Sequence, residues 1–240
     1  MPAISIVTVT LNRLEGLKQT LQSAAGQSFG DWELIVVDGA STDGTPEYLA
    51  TLDDPRINWA SEPDSGIYDA MNKGIALAKG DYVHILNSGD RYISGTVLES
   101  LMPVLRPDAL NYGIVELPEG GRRKLAGTPP FRPWKMRFRA EIPHEGIVLS
   151  RKIYEEAGPF RTDMKIAADY DMTLRLLKQI PVNATGIRMV AMSGGGVSNT
   201  NFAQSAAEAR EASMANGTNP LAAWAVFLCK KLNRLLRTIR

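Results

Sequence analysis

One cysteine, Cys229, and two histidines, His84 and His144, in 240 residues leave little for covalent cross-linking or soft-metal chemistry. A lone thiol closes no internal disulfide and builds no cysteine zinc cluster, so a reducing compartment, the cytosol, is expected. The first apolar run, ISIVTVT, has no cationic stretch before it and is too short for a secretory signal or a membrane span. No Gly-X-Gly-X-X-Gly follows it, which disfavours dinucleotide-dependent dehydrogenase chemistry. Internal repeats and low-complexity tracts are absent as well. Apolar residues at 44% and charged residues at 22% match ordinary globular chains and exclude disorder and fibre.

Acidic residues are missing from two segments. All five charges after Glu211 are positive (Lys230, Lys231, Arg234, Arg237 and Arg240), and without them the chain carries 22 Lys and Arg against 26 Asp and Glu, a balance of −4. Between Glu119 and Glu141, seven cations from Arg122 to Arg139 are interleaved with Phe131, Trp134, Met136 and Phe138. Both segments suit an anionic surface: lipid headgroups, a phosphorylated acceptor or nucleic acid. An acidic body without a recognition motif makes nucleic acid the least favoured of these, and no nucleic-acid partner is expected.

What is present is alternation. Ile4 to Thr10, Leu34 to Val37, Ile57 to Ala60 and Tyr82 to Leu86 read as strands, and stretches from Leu14 to Ala25 and Ile67 to Lys79 read as helices between them. This is the βαβ pattern of an α/β fold with a mostly parallel sheet flanked by helices, joined by right-handed crossovers. Asp64 and Ser65 offer the cap of the second helix. Pro103 to Pro143 reads as long loops. Helices are expected near Arg151 to Ala157, Asp169 to Lys178 and Ala203 to Ala215, with a strand around Ile187 to Met192 and a flexible or phosphate-approaching loop at Gly194 to Gly196. From Pro220, the residues Leu221, Trp224, Ala225, Leu228, Leu232, Leu235, Leu236 and Ile239 form one stripe of an amphipathic helix. The expected organisation is one domain over residues 1–219 and a basic helix over 220–240.

Ligands of open parallel sheets bind beyond the carboxyl ends of the strands. Thr10 and Asn12 follow the first strand, Asp38 ends the second, Asn87 and Asp90 follow YVHIL, and His144 precedes the apolar run GIVL. Asp38 can accept from a base N–H or a ribose hydroxyl, or serve a turn with Ser41, Thr42 and Asp43. Asp90, with Asn87 nearby, can hold a divalent cation whose remaining ligands are water and phosphate, or close an ordinary Asn-Ser-Gly-Asp turn. Asp169 and Asp171 begin one helix two positions apart, so at most one faces a crevice. His84, inside YVHIL, reads as a satisfied core residue.

Four ordered segments, SIVTVTLNR, LIVVDGASTDGT, SEPDSGIYDAMNKGIALAKGDYVHILNSGD and GPFRTDMKIAADYDMTLRL, resemble family 2 glycosyltransferases. These have the nucleotide-sugar-binding GT-A fold. The similarity is greatest to the bacterial subgroup that builds capsular, exopolysaccharide and lipopolysaccharide chains. The resemblance implies that Thr10, Asn12 and Asp38 line the nucleotide pocket, with Asp38 facing the base. Asp64 to Lys73, Asn72 included, would form the wall beside nucleotide and donor sugar, with Asn87 in the Asp-X-Asp region. Asp90 would hold Mn2+ or Mg2+ on the diphosphate, Asp169 would be the base, and His144 would sit near acceptor or phosphates. Asn87 and Gly89 stand where many relatives have aspartates, Met71 where many have arginine, and Ala168 where many have glutamate.

The implied activity is inverting transfer from a nucleotide sugar, a UDP-sugar as first expectation, to a saccharide or lipid-linked acceptor. The alternative is a relative that binds nucleotide sugar without transferring it. The basic tail suits peripheral attachment to the inner face of the cytoplasmic membrane. All of this requires positions 38, 90 and 169 to border a shared cleft.

Overall fold

A computed structural model of the protein describes residues 1–119, 122–136, 138, 141–194 and 201–238. Its strands are β1 (Ile4–Thr10), β2 (Trp32–Asp38), β3 (Ile57–Ser61), β4 (Tyr82–Ile85), β5 (Arg91–Tyr92), β6 (Leu110–Glu119), β7 (Arg122–Ala126), β8 (Ile147–Ser150) and β9 (Val182–Ala191). The helices are α1 (Leu14–Ala25), α2 (Thr45–Leu49), α3 (Ile67–Leu77), α4 (Val97–Leu101), α5 (Pro133–Met136), α6 (Arg151–Ala157), α7 (Ala168–Leu176), α8 (Phe202–Ala215) and α9 (Pro220–Thr238). They flank one sheet in the order β3-β2-β1-β4-β8-β6-β9-β5, with β7 paired to β6.

Every residue of β1 and β2 is buried, as strands with helices on both faces require. Alternation along β1 sends Ile4 and Ile6 into the core beneath α1 and α4, and Val7 and Val9 into the core shared with α3 and α7. Each such side chain stabilises by about 1.5–3 kcal/mol relative to exposure. Gly74 brings α3 down onto this sheet. A Cβ there would lie 2.3 Å from Val7 Cγ1 and 3.4 Å from Val37 Cγ2, so any larger residue would push the helix off β1 and β2.

Pairing is parallel through β3, β2, β1 and β4, then antiparallel at β4–β8 and β8–β6, and parallel again at β6–β9. The expected loops from Pro103 to Pro143 are therefore corrected: ten residues of that stretch form β6, a strand bonded on both sides. Its alternation is hidden because the register slips around Gly113, where a Cβ would meet Met189 Sδ at 2.2 Å. The expected capping of α3 by Asp64 or Ser65 is also corrected. Gly66, at φ +136°, holds the cap position. Asp64 Oδ1 accepts the Gly66 N–H at 2.8 Å, while Asp69 Oδ2 reaches back to the Ser65 N–H at 3.0 Å.

α9 lies on α8. Ala223 and Phe227 are buried, and the Arg210 guanidinium stacks 4.0 Å from the Trp224 ring. Leu221, Trp224 and Leu228, on the stripe read from the sequence, remain exposed at 82%, 46% and 57%. Over its described side chains this helix thus shows apolar groups on two faces, and α8 covers one of them. Among the described residues no helix is long and apolar enough to cross a membrane. Of the glycine loop, Gly195 and Gly196 lie outside the described residues.

Candidate functional site

Burial of the parallel strands pushes polar groups to their carboxyl ends. At the end of β1, Thr10 is buried and its hydroxyl has no partner. Asn12 adopts φ +49°, a conformation that asparagine tolerates better than most residues. Its N–H donates to Ser41 Oγ at 2.7 Å, and its Oδ1 accepts the Thr42 N–H at 2.8 Å, tying this loop to the one after β2.

Asp38, at the end of β2, is fully buried. Oδ1 accepts from the Ser41 hydroxyl, and Oδ2 accepts the Ser41 N–H at 3.0 Å and the Ser61 hydroxyl at 2.6 Å. Both oxygens are therefore committed to the loop. Asp64 comes closer to open space. A Cβ on Gly39 would lie 2.5 Å from Asp64 Oδ2, so glycine at 39 makes the room that this carboxylate occupies.

Residues Asn87 to Asp90 form a turn beyond β4, closed by the Asp90 N–H on Asn87 O at 2.9 Å and braced by Thr20 Oγ1 on Asp90 O at 2.7 Å. Asp90 is 5% exposed, and its Oδ1 accepts the Ser193 N–H at 2.9 Å from the end of β9. Burial raises the Asp90 carboxyl above its ordinary range, against the Ser193 amide and the charges of Arg13 and Arg123. Asn87 Oδ1 is buried without a partner.

Beside Gly194, a cavity of about 590 Å³ is lined by Asp169, His144, Glu145, Tyr112, Lys124, Glu141 and Phe131 among others. Asp169 sits in the first turn of α7, and its Oδ1 accepts the Tyr68 hydroxyl from α3 at 2.8 Å. Asp171 turns away, buried between Arg175 Nε at 3.0 Å and Asn216 Nδ2 at 2.9 Å. His144 packs edge-on to Phe160, and its Nε2 lacks a partner. Burial lowers its pKa, opposed by Asp169.

Glu145 joins the two acidic positions. Burial, then the charge of Asp90 and to a smaller extent that of Asp169, push its carboxyl up to about 8. Its backbone carbonyl accepts from His84 Nε2 at 2.9 Å, so that nitrogen carries the proton and Nδ1 accepts the Tyr92 hydroxyl. Buried His84 is satisfied and neutral, its pKa lowered to about 4, and it anchors the turn that carries His144 and Glu145.

Of the three positions required to border a shared cleft, only Asp169 lines this cavity. Asp90 is next to it through Ser193, between the lining residues Met192 and Gly194, and its charge, like that of Asp169, acts on Glu145. Asp38 is sealed behind its own loop and lines no part of the cavity wall. Asn72 and Lys73 are engaged elsewhere: Asn72 brackets the Phe160 N–H and C=O at 2.9 and 3.0 Å, and Lys73 pairs with Glu62 at 2.7 Å. Sequence reasoning gave no role to Tyr68, Glu145, Arg13 or Glu208. Tyr68 and Arg13 lay inside quoted motifs. Glu208 carried no signal, yet its carboxylate accepts the N–H groups of Lys165, Ile166 and Ala167 at 2.8–3.1 Å. It thereby caps the segment ahead of α7, whose own N-cap residue, Ala167, has no side chain able to do so.

The family model described as "Glycosyl transferase family 2" matches residues 5–156. A PGL/p-HBAD biosynthesis glycosyltransferase of Mycobacterium bovis is 31% identical over 209 residues, 83% of this chain and 80% of that one. S. aureus TarS 1-349 in complex with UDP-GlcNAc superposes with a TM-score of 0.63 at 14% identity, over 95% of this chain and 70% of that one. The mannosyltransferase PcManGT of Pyrobaculum calidifontis, in complex with GDP-Man and Mn2+, gives 0.64 at 17%, over 95% and 69%. At those identities the structural likeness speaks for the fold alone.

Because the Glu145 carboxyl ionises near 8 when folded and at an ordinary 4.5 when unfolded, its contribution to stability is lost progressively as pH rises from about 4.5 to about 8. Glu145→Gln, which cannot ionise, is expected to gain melting temperature relative to the parent as pH rises from 5 to 8.5 in EDTA. A constant difference across that range would mean that the carboxyl is freely solvated.

Proposed function

The chain belongs to glycosyl transferase family 2 and is a glycosyltransferase of GT-A fold, and from that premise we propose that it transfers a sugar, with inversion, from a nucleotide-sugar donor to a saccharide or lipid-linked acceptor in bacterial surface polysaccharide biosynthesis. The observation that carries this reading is Asp169 on the wall of a cavity that Met192 and Gly194 also line, on either side of the Ser193 whose N–H Asp90 accepts.

Breaking the anomeric C–O bond leaves negative charge on the departing diphosphate, while the acceptor hydroxyl must lose its proton as it attacks. Asp169 is the base. With Oδ1 held by the Tyr68 hydroxyl, Oδ2 is the oxygen that takes the acceptor proton. Attack from the face opposite the leaving group inverts the anomeric centre, so no covalent sugar intermediate forms. Thr10, Asn12 and Asp64 meet the nucleotide. Asp38, with both oxygens occupied, acts by shaping the loop they share, and Asn72 and Lys73 hold α3 in place. His144, neutral at pH 7, faces the acceptor side. UDP is the first candidate nucleotide, as in the TarS complex, with GDP second.

The turn after β4 suits a hard cation in one respect: the buried Asn87 Oδ1 has no partner and is an oxygen donor one turn from the Asp90 carboxylate. Asp90 and Asn87 would hold Mn2+ or Mg2+, which when bound would neutralise charge on the diphosphate as a Lewis acid. Among the described residues no three His, Cys, Asp or Glu side chains gather for a metal, so phosphate oxygens must complete the ligand set.

The exposed stripe of α9, Leu221, Trp224 and Leu228, continues into a segment whose charges are all positive, an arrangement that fits an anionic lipid surface presenting a lipid-linked acceptor. The uncovered face supports attachment through residues 220–240, with 1–219 as the catalytic domain.

Three measurements test this. Asp169→Asn is expected to keep nucleotide affinity, read by thermal shift with UDP-, GDP- and dTDP-sugars, and to reduce transfer by at least 100-fold (about 2.7 kcal/mol of barrier). Near-parental turnover would remove it as base, and nucleotide binding by the parent without transfer to any acceptor would favour the binding-only alternative. Asp90→Asn should weaken Mn2+-dependent diphosphate binding; an unchanged manganese titration would point to other ligands. Removal of residues 220–240 should release the protein from vesicles containing anionic lipid while the donor still binds, and persistent vesicle binding would refute the tail's role.

A further inference from the structure

The turn proposed to receive the diphosphate is poor in acid and has two guanidinium groups against it. Gly89, at φ +95°, adopts a backbone that strains any side chain, and a Cβ there would crowd the end of Arg13: it would lie 2.8 Å from Arg13 Nη2, 2.9 Å from Ser193 Oγ and 3.0 Å from Arg13 Cζ. The Arg13 guanidinium therefore lies over a bare backbone. Arg13 leads into α1 from the end of β1, and its Nη2 donates to Ser193 Oγ at 2.7 Å and Gly194 O at 3.5 Å. Arg123, on β7, donates to Met192 O and to Glu116 O. Both cations thus bond to neutral oxygens around the end of β9, next to the Ser193 amide that holds Asp90. Both side chains are exposed, and both lie near enough to Asp90 for their charge to favour its ionised form.

We propose that Arg13, with Arg123 beside it, binds the diphosphate of the donor and stabilises the charge that it gains on departure. This rests on the nucleotide-sugar reading and adds the residues that meet the phosphates. The balance of charge supports it. Arg13, Arg123 and Asp90 together carry +1, whereas a phosphoanhydride brings at least two negative charges. A guanidinium whose partners among the described residues are hydroxyl and carbonyl oxygens can exchange them for phosphate oxygens, a stronger, charge-assisted partner. The glycine at 89 makes this possible, since any side chain there would displace the guanidinium. Donors fixed where charge develops lower the barrier to departure, and they make the site less dependent on a divalent cation than an acid-rich turn would be.

The test is calorimetric titration of the full chain with UDP, GDP, the nucleosides uridine and guanosine, and inorganic pyrophosphate, each in EDTA and in Mn2+. Arg13→Gln is expected to weaken the nucleoside diphosphate that binds by about 10- to 100-fold and to leave the matching nucleoside within about twofold. Arg13→Lys should fall between, and Arg13→Gln combined with Arg123→Gln should lose more. Arg13 is exposed, so these variants spare the core, and an unchanged melting temperature checks that they do. Nucleoside diphosphate affinity within twofold of the parent in Arg13→Gln, in both EDTA and Mn2+, overturns the proposal. Pyrophosphate separates it from the reading beneath: binding of pyrophosphate through Arg13 with no binding of UDP or GDP would refute the nucleotide-sugar donor and keep the phosphate site. Binding of UDP or GDP indifferent to Arg13 would do the reverse, and no binding of any phosphate compound refutes both.

Discussion

Parallel pairing of β1 with β2 on one side and β4 on the other is the constraint on which the rest of this protein depends. Strands buried on both faces have no room for unpaired polar groups, so the chain's chemistry collects where they end. Thr10, Asp38 and the Asn87–Asp90 turn emerge at the same edge because all three strands run the same way. Close packing maintains that edge: Gly74 sets α3 on Val7 and Val37, and α3 in turn delivers Tyr68, with Asp64 in the turn that leads into it.

The opposite wall is made by parts of the chain that follow the parallel half. Asp169 is presented from a helix without a capping residue of its own, and Glu208 of α8, some forty residues later, supplies the carboxylate that collects the N–H groups ahead of it. The same helix reaches Tyr170 through Ser213, and Asn216, just beyond it, bonds Asp171. A lone helical turn would leave Asp169 free to wander. Tyr68 from one side and this capping from the other fix both its carboxylate and the backbone that carries it. His84 plays a comparable part from the core, holding the turn that bears His144 and Glu145 through a single bond to a carbonyl.

Charge at the site is set by packing as much as by composition. Burial holds Glu145 in its protonated form at neutral pH, so it adds no negative charge beside its acidic neighbours. Arg13 fits into the space that Gly89 leaves, and Asp64 into the space that Gly39 leaves. In both cases a glycine admits a charged group from elsewhere in the chain.

The sequence by itself determined the strand–helix alternation from β1 to β4, the helices α1, α3, α6, α7 and α8, and the acids at the strand ends, because two-residue and 3.6-residue periods are local properties of a chain. It showed that Asp169 and Asp171 could not share a face, and that the tail has an apolar stripe. It did not show β6, whose period breaks at the Gly113 slip, nor which acids are open. Asp38 and Asp64 look alike as letters. Only the tertiary structure decided that Ser41 of the loop after β2 and Ser61 at the end of β3 occupy the first while the second stands over Gly39, that Asn72 and Lys73 bond Phe160 and Glu62, and that Tyr68 reaches Asp169, Arg13 lies against Gly89 and Glu208 collects the N–H groups ahead of α7. Those outcomes depend on contacts between residues tens to more than a hundred positions apart, and burial, hydrogen-bond saturation and charge proximity do not exist until the chain has closed on itself.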